Sequence, residues 1–188
     1  MKTNSIETMN RRRFLGTSAV TFAGLTILPR HTIAGLGHIA PSDKLNIAGV
    51  GIGGMGRSNL ANVARTENIV ALCDVDWSGQ VLKVFETYPS AKRYKDFRVM
   101  LDQQKEIDAV IIATPDHTHA VISMESMRRG KHVFTQKPLT HTVFEARALA
   151  NAAREYKVAT QMGNQGQAGD SPRRLREMIW DGVIGPVR

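Results

Sequence analysis

Gly49-Val50-Gly51-Ile52-Gly53-Gly54-Met55-Gly56 separates two segments of different character. Ahead of it, Leu45-Asn46-Ile47-Ala48 reads as a short buried strand. Behind it, Arg57-Ser58-Asn59-Leu60-Ala61-Asn62-Val63-Ala64 reads as a helix. Gly51, Gly53 and Gly56 therefore form G-x-G-x-x-G at a strand-to-helix turn, the context that gives the pattern meaning. Gly51 suits a tight turn, Gly53 a close approach of backbone to a pyrophosphate, and Gly56 a helix packed hard against its strand. The helix start offers unpaired N–H groups and the positive end of its dipole to phosphates. The expectation is a dinucleotide loop built from Gly51, Ile52, Gly53, Gly54, Met55 and Gly56.

A second apolar run, Ile69-Val70-Ala71-Leu72-Cys73, ends in Asp74-Val75-Asp76. Asp74 stands about twenty residues past the glycine loop, where such folds place an acid on the adenosine ribose hydroxyls. A carboxylate accepts from a 2′-OH and repels a 2′-phosphate, so NAD is expected and NADP disfavoured. The alternative for Asp74 is a surface acid in a turn, and Asp76 is the second candidate. Trp77 reads either as an adenine cover or as a turn-capping aromatic.

Further strands are expected over 109–113, 132–135 and 158–162, after those over 45–50 and 69–73. Helices are expected over 55–65, 78–88, 97–104, 119–129, 143–156 and 172–180. Short apolar strands alternating with helices predict βαβ units and a parallel sheet, an α/β fold of the doubly wound Rossmann type. Thr142 and Glu145 have capping-box spacing. Val143, Ala146, Leu149, Ala150 and Ala153 then recur at helical spacing and are expected to face the sheet. Asp96 is a candidate cap for the helix beginning at Phe97, and Gly130 a helix stop.

The net charge of +8 invites a nucleic-acid reading. Half of it, +4, comes from Lys2, Arg11, Arg12, Arg13 and Arg30 set against Glu7. The remaining basic residues are interleaved with acids, as on a solvated surface. No basic-aromatic stripe and no zinc-ligand spacing accompany them, so neither nucleic acid nor metal is expected. Cys73 is the only cysteine, which excludes an intrachain disulfide and reads as a buried thiol.

Asn10-Arg11-Arg12-Arg13-Phe14-Leu15 precedes a mildly apolar stretch over 16–28 that ends before Arg30. This is the plan of a signal peptide, and the paired arginines resemble the twin-arginine type. The apolar stretch is short for a bilayer span of about twenty residues. The alternative is an uncleaved amphipathic helix. The expectation is export to the periplasm, with cleavage after Ala34 or Ala40 and no stable membrane anchor afterwards. An exported dehydrogenase meets no free NAD pool, so a tightly held cofactor loaded before export is expected.

Ala113–His119 and Gln136–Pro138 fall at carboxyl ends of strands, where ligands of a parallel sheet bind, and three segments there and nearby carry a further pattern. They are Ile111-Ile112-Ala113-Thr114-Pro115 with His119, then Gly130-Lys131-His132-Val133-Phe134, then Lys137-Pro138-Leu139. In order and spacing, with the glycine loop, they resemble the Gfo/Idh/MocA family of sugar oxidoreductases from about Leu45 onward. The resemblance implies that Lys137 lies near the nicotinamide and touches the substrate hydroxyl or the ribose, as the catalytic residue present. It implies that Thr114 and Pro115 line the dinucleotide cleft, and that His119 shapes that loop; by itself His119 reads as a satisfied structural histidine. It also implies a cis Lys137–Pro138 bond. The family's Glu-Lys-Pro is Gln136-Lys137-Pro138 here, so an acidic partner for Lys137 is missing. Asn164 and Gln165, after the last strand, are candidates to reach the nicotinamide or a sugar, or else turn residues.

The expected organisation is a signal peptide and linker over 1–40, a Rossmann domain over 41–165 and a crossover over 166–188. The resemblance implies a second α/β domain, truncated here. That domain carries most sugar contacts, the oligomer interface and often an Asp-x-x-x-His acid-base pair. The chain as given is therefore expected to be an inactive fragment of an NAD-dependent oxidoreductase acting on a sugar, polyol or glycoside, a homo-oligomer in its whole form. The alternatives are an NAD-dependent glycosidase using transient oxidation, and a non-catalytic nucleotide-binding module.

Overall fold

A computed structural model describes residues 43–186. The signal-peptide reading on residues 1–40 lies outside the described residues. Six strands form one sheet in the order β3-β2-β1-β4-β5-β6. They are β1 (Asn46–Val50), β2 (Asn68–Cys73), β3 (Lys92–Tyr94), β4 (Ala109–Ile112), β5 (His132–Gln136) and β6 (Thr160–Gly163). Every neighbouring pair is parallel. Connecting helices are α1 (Met55–Val63), α2 (Gly79–Thr87), α3 (Phe97–Gln103), α4 (His119–Arg128), α5 (Val143–Glu155) and α6 (Asp170–Trp180).

Successive strand side chains point to opposite faces, and both faces are covered. On one, Ile47, Leu72 and Ile111 pack with Leu60 of α1 and Val81, Val84 and Phe85 of α2. On the other, Ala48, Val50, Cys73, Val110 and Ile112 pack with Met100 of α3, Ile122 and Met127 of α4, and Leu149 and Ala152 of α5. Two buried faces explain why β1, β2 and β4 are nearly continuous apolar runs rather than alternating ones. The doubly wound α/β expectation holds.

Local signals set several boundaries. Asp96 caps α3, its carboxylate accepting from the Arg98 N–H at 2.9 Å. The capping box forms at α5: Thr142 Oγ1 accepts from the Glu145 N–H at 3.2 Å and Glu145 Oε2 accepts from the Thr142 N–H at 2.9 Å. Gly130 takes φ +72°, the left-handed conformation that ends α4.

Four details differ from the sequence expectation. Strand β3 was not expected, because Lys92-Arg93-Tyr94 carries no apolar run. It forms by pairing with Ala71–Cys73 at the sheet edge, where charged side chains suit an exposed strand. Strand β6 starts at Thr160 rather than 158, because Lys157 turns through φ +54° after α5. The 163–171 loop contains a 3-10 turn at Gln165–Ala168, and α6 begins at Asp170. On α5 the buried stripe runs through Leu149 and Ala152, with Ala153 partly buried, while Val143 and Ala150 are exposed. Small alanines around the helix left several apolar arcs open, and packing against α4 selected one.

Candidate functional site

Sheet order reverses between β1 and β4: the chain runs outward through β2 and β3, then returns to the other side of β1. Such a switch point opens a crevice beyond the carboxyl ends of the strands. Register supplies the rim. Val50 stands opposite Cys73 and Ile112, Ile112 opposite Thr135, and Thr135 opposite Met162. The next residue of each strand, Gly51, Asp74, Ala113, Gln136 and Gly163, therefore falls on one edge of the sheet. Gly51 N–H donates to Cys73 O at 2.9 Å and Ala113 N–H to Val50 O at 2.9 Å, holding the rim together.

A cleft of about 590 Å³ opens at the β1/β2/β4 end of this rim. Among the expected site residues it is lined by Gly51, Gly53, Gly54, Asp74, Thr114 and Pro115. The steric arguments for two glycines are met in full. A Cβ on Gly51, at φ +77°, would stand 2.7 Å from Ala113 backbone atoms. A Cβ on Gly56 would stand 1.9 Å from Gly51 O, so α1 packs directly on the loop. Gly54 caps α1 without a side-chain hydrogen bond, leaving the helix start as a donor set for an anion. The bare loop, the free helix start and the acid opposite fit a nicotinamide dinucleotide.

Asp74 is fixed in place by backbone. Its Oδ2 accepts from the Ile52 N–H at 2.8 Å and its Oδ1 from the Asp76 N–H at 3.1 Å. Asp74 and the glycine loop are thus one hydrogen-bonded unit. Carboxylate oxygens carry two lone pairs each, so acceptor capacity toward a diol remains. Burial pushes the neighbouring Cys73 thiol up to about 12, with the Asp74 and Asp96 charges adding to the effect.

The remaining expected residues stand off the cleft. The Ile52 side chain is fully buried in the core, and Met55 is exposed on the first turn of α1. His119 is 1% exposed, with Nδ1 2.7 Å from Pro138 O and Nε2 2.8 Å from Thr114 O. It ties the loop after β4 to the turn after β5. Lys137 is exposed on that turn and is joined to Pro138 by a cis peptide bond. Its N–H donates to Gln136 Oε1 at 3.0 Å; Gln136 is buried against Gly163, and its Nε2 has no partner. Asn164 lines a separate groove of about 350 Å³ with Phe134 and Gln165. Gln165 Nε2 donates to Asn59 Oδ1 at 3.2 Å, tying this groove to α1.

Residues the motif did not indicate complete the cleft: Val81, Lys95, Phe97, His117, Thr118 and Val121 among them. Thr118 Oγ1 donates to Thr114 Oγ1 at 2.8 Å and stiffens the Thr114–Pro115 loop. Lys95 arrives because Asp74 N–H donates to Tyr94 O at 3.1 Å, extending the β2–β3 ladder. Trp77 is absent from the lining: its ring meets Phe85 edge-on at 5.3 Å and its N–H donates to Asp74 O at 2.8 Å. Of its two readings, the turn aromatic is the one the contacts describe.

Curated relatives and solved structures agree with this geometry. A glycosyl hydrolase family 109 protein of Shewanella pealeana is 27% identical over 95% of this chain and 44% of its own length. An inositol 2-dehydrogenase/D-chiro-inositol 3-dehydrogenase of Lacticaseibacillus casei is 29% identical over 72% of this chain and 40% of its own. The crystal structure of myo-inositol 2-dehydrogenase from Lactobacillus plantarum superposes with a TM-score of 0.66 at 26% identity, covering 77% of this chain and 43% of that one. The chain thus spans less than half the length of these relatives. Residues 45–164 match the model of the oxidoreductase family with an NAD-binding Rossmann fold. The chain belongs to that family, the Gfo/Idh/MocA oxidoreductases, and residues 45–164 are its NAD-binding domain.

Proposed function

We propose that this chain carries the cofactor half of an NAD-dependent oxidoreductase acting on a sugar or polyol. The observation that carries the reading is the shared rim, which sets the glycine loop, Asp74 and Thr114–Pro115 in one cleft and Lys137 along the same edge. The loop N–H groups and the start of α1 hold the pyrophosphate. Asp74 accepts from the adenosine ribose hydroxyls. A bound nicotinamide supplies the hydride acceptor for oxidation of a carbinol carbon. Lys137 donates to the reacting hydroxyl and orients it, and His119 positions Lys137 by tying Pro138 to Thr114. Gln136, neutral where the family has glutamate, leaves the Lys137 ammonium without an adjacent carboxylate.

Polyol chemistry is supported by the name of the L. casei relative, an inositol dehydrogenase. A second reading, glycoside cleavage through transient oxidation, is favoured by one observation. The match to the family 109 glycosyl hydrolase extends over 95% of the chain, against 72% for the inositol dehydrogenase. Export on the twin-arginine route rests on Arg11-Arg12-Arg13-Phe14-Leu15 and the apolar stretch behind it. It entails a cofactor loaded before export and no membrane anchor once the leader is removed. Homo-oligomerisation through a second domain completes the proposal.

The test loads the purified protein with NAD and adds myo-inositol or a nitrophenyl glycoside. Absorbance rising at about 340 nm with the polyol supports the dehydrogenase. Nitrophenol release without net reduction supports the glycosidase. Bound NAD that neither substrate changes means that this chain holds the cofactor without turning over by itself. Failure to bind NAD overturns all three.

A further inference from the structure

The adenosine end of the cleft holds two kinds of charge. Asp74 and Asp76 line it as carboxylates, and among the described residues Lys95 is the one lysine or arginine of the cleft wall. Lys95 follows β3 directly, and the β2–β3 ladder fixes its backbone beside Asp74 through the Asp74 N–H to Tyr94 O bond. Its side chain is also directed: the ammonium stands 5.3 Å from the centroid of the Trp77 ring. That ring is held in turn, by its N–H to Asp74 O and by edge-on contact with the buried Phe85. A cation over an indole face is attracted by the ring quadrupole. Among the described residues the Lys95 ammonium makes no ion pair, although two acids share the rim. The Asp74 carboxylate is meanwhile occupied on both oxygens by backbone N–H groups.

We propose that Lys95 is a cofactor-selectivity residue that acts against Asp74, admitting the 2′-phosphate of NADP that the carboxylates repel. The proposal rests on the dinucleotide reading of the cleft. NAD presents a 2′,3′-diol here, which a fixed carboxylate accepts from. NADP presents a phosphate near two negative charges instead, and only Lys95 offers it a compensating one from the cleft wall. The two side chains thus divide the discrimination: Asp74 sets the preference for NAD, and Lys95 limits how steep that preference is. Nothing in the glycine motif signals this, because the lysine follows β3, two helices further along the chain.

The experiment measures Kd for NAD and NADP on the purified full chain, on Lys95→Met, Lys95→Arg and Asp74→Asn. Lys95→Met keeps the aliphatic stem and removes the charge. NADP should lose about fivefold more affinity than NAD, the scale of one solvent-exposed ion pair. Added salt should shrink that difference. Lys95→Arg should restore the wild-type ratio, and Asp74→Asn should move the ratio the opposite way. Equal weakening of both cofactors by Lys95→Met makes the residue structural and overturns the proposal. So does a wild-type chain that binds NAD but not NADP. A wild-type chain that does not bind NAD is a different failure, that of the dinucleotide reading itself.

Discussion

Gly56 admits no side chain, because the space a Cβ would take is already occupied by Gly51 O at 1.9 Å. Both partners are backbone, so relief requires moving α1 away from the loop that α1 supports. Gly56→Ala should lower stability by about 1–3 kcal/mol, the range for overpacked sites, and weaken NAD binding with it. Gly54→Ala should cost less stability, since an added Cβ there meets nothing within 4 Å. Urea midpoints of the two variants check this; equal midpoints would show that α1 shifts freely. Cys73 gives the second prediction at this scale. Its thiol is held to about 12 in the fold against an ordinary value of 9.0. From pH 9 upward the unfolded chain loses the proton and the folded chain keeps it. Stability should therefore be undiminished by this group below pH 9 and fall as pH rises from there toward 12. Cys73→Ala should flatten the slope between pH 9 and 10.5 in denaturation experiments. An unchanged slope would show that the thiol titrates alike in both states.

Helix ends are where local chemistry acts most directly. At α5 the capping box satisfies two backbone donors with two side chains, and Glu145 also accepts from the His141 N–H at 3.0 Å. Thr142→Ala should destabilise the protein by about 1 kcal/mol, seen as a lower denaturation midpoint; Thr142→Ser should retain most of the stability. If the two variants melt alike, the hydroxyl is not the source. This element was legible because cap and partner are three residues apart. The buried face of α5 was less so. Alanines at 146, 148, 150, 152 and 153 fit apolar and solvated positions alike, so the contact with Leu149 and Ala152 was settled by α4 and the sheet. Strand β3 was illegible for a related reason. Lys92-Arg93-Tyr94 is a strand only because Ala71–Cys73 offers it a ladder.

At the scale of the whole molecule, parallel register turns separate motifs into one edge. Five strand ends align, and Gly51, Asp74 and Ala113, one step beyond β1, β2 and β4, meet at the switch point. Lys137 and Asn164 lie farther along that edge than the dinucleotide loop, and His119 carries the mechanical link between Thr114 and Pro138. Helix α6 buries none of its residues, with Leu175, Met178 and Trp180 exposed among the described residues.

The sequence by itself determined the glycine loop, the acid after β2, the alternation of strands and helices, and the caps at Asp96 and Thr142. All of these depend on neighbours within one turn or one βαβ unit, where sterics and hydrogen bonds are local. Tertiary structure alone decided which residues share the cleft with that loop. It brought Lys95 beside Asp74, turned Trp77 onto Phe85, and buried His119 between two carbonyl groups. The reason is range: strand pairing and helix packing bring together loop and helix residues far apart in the chain, which no local pattern encodes.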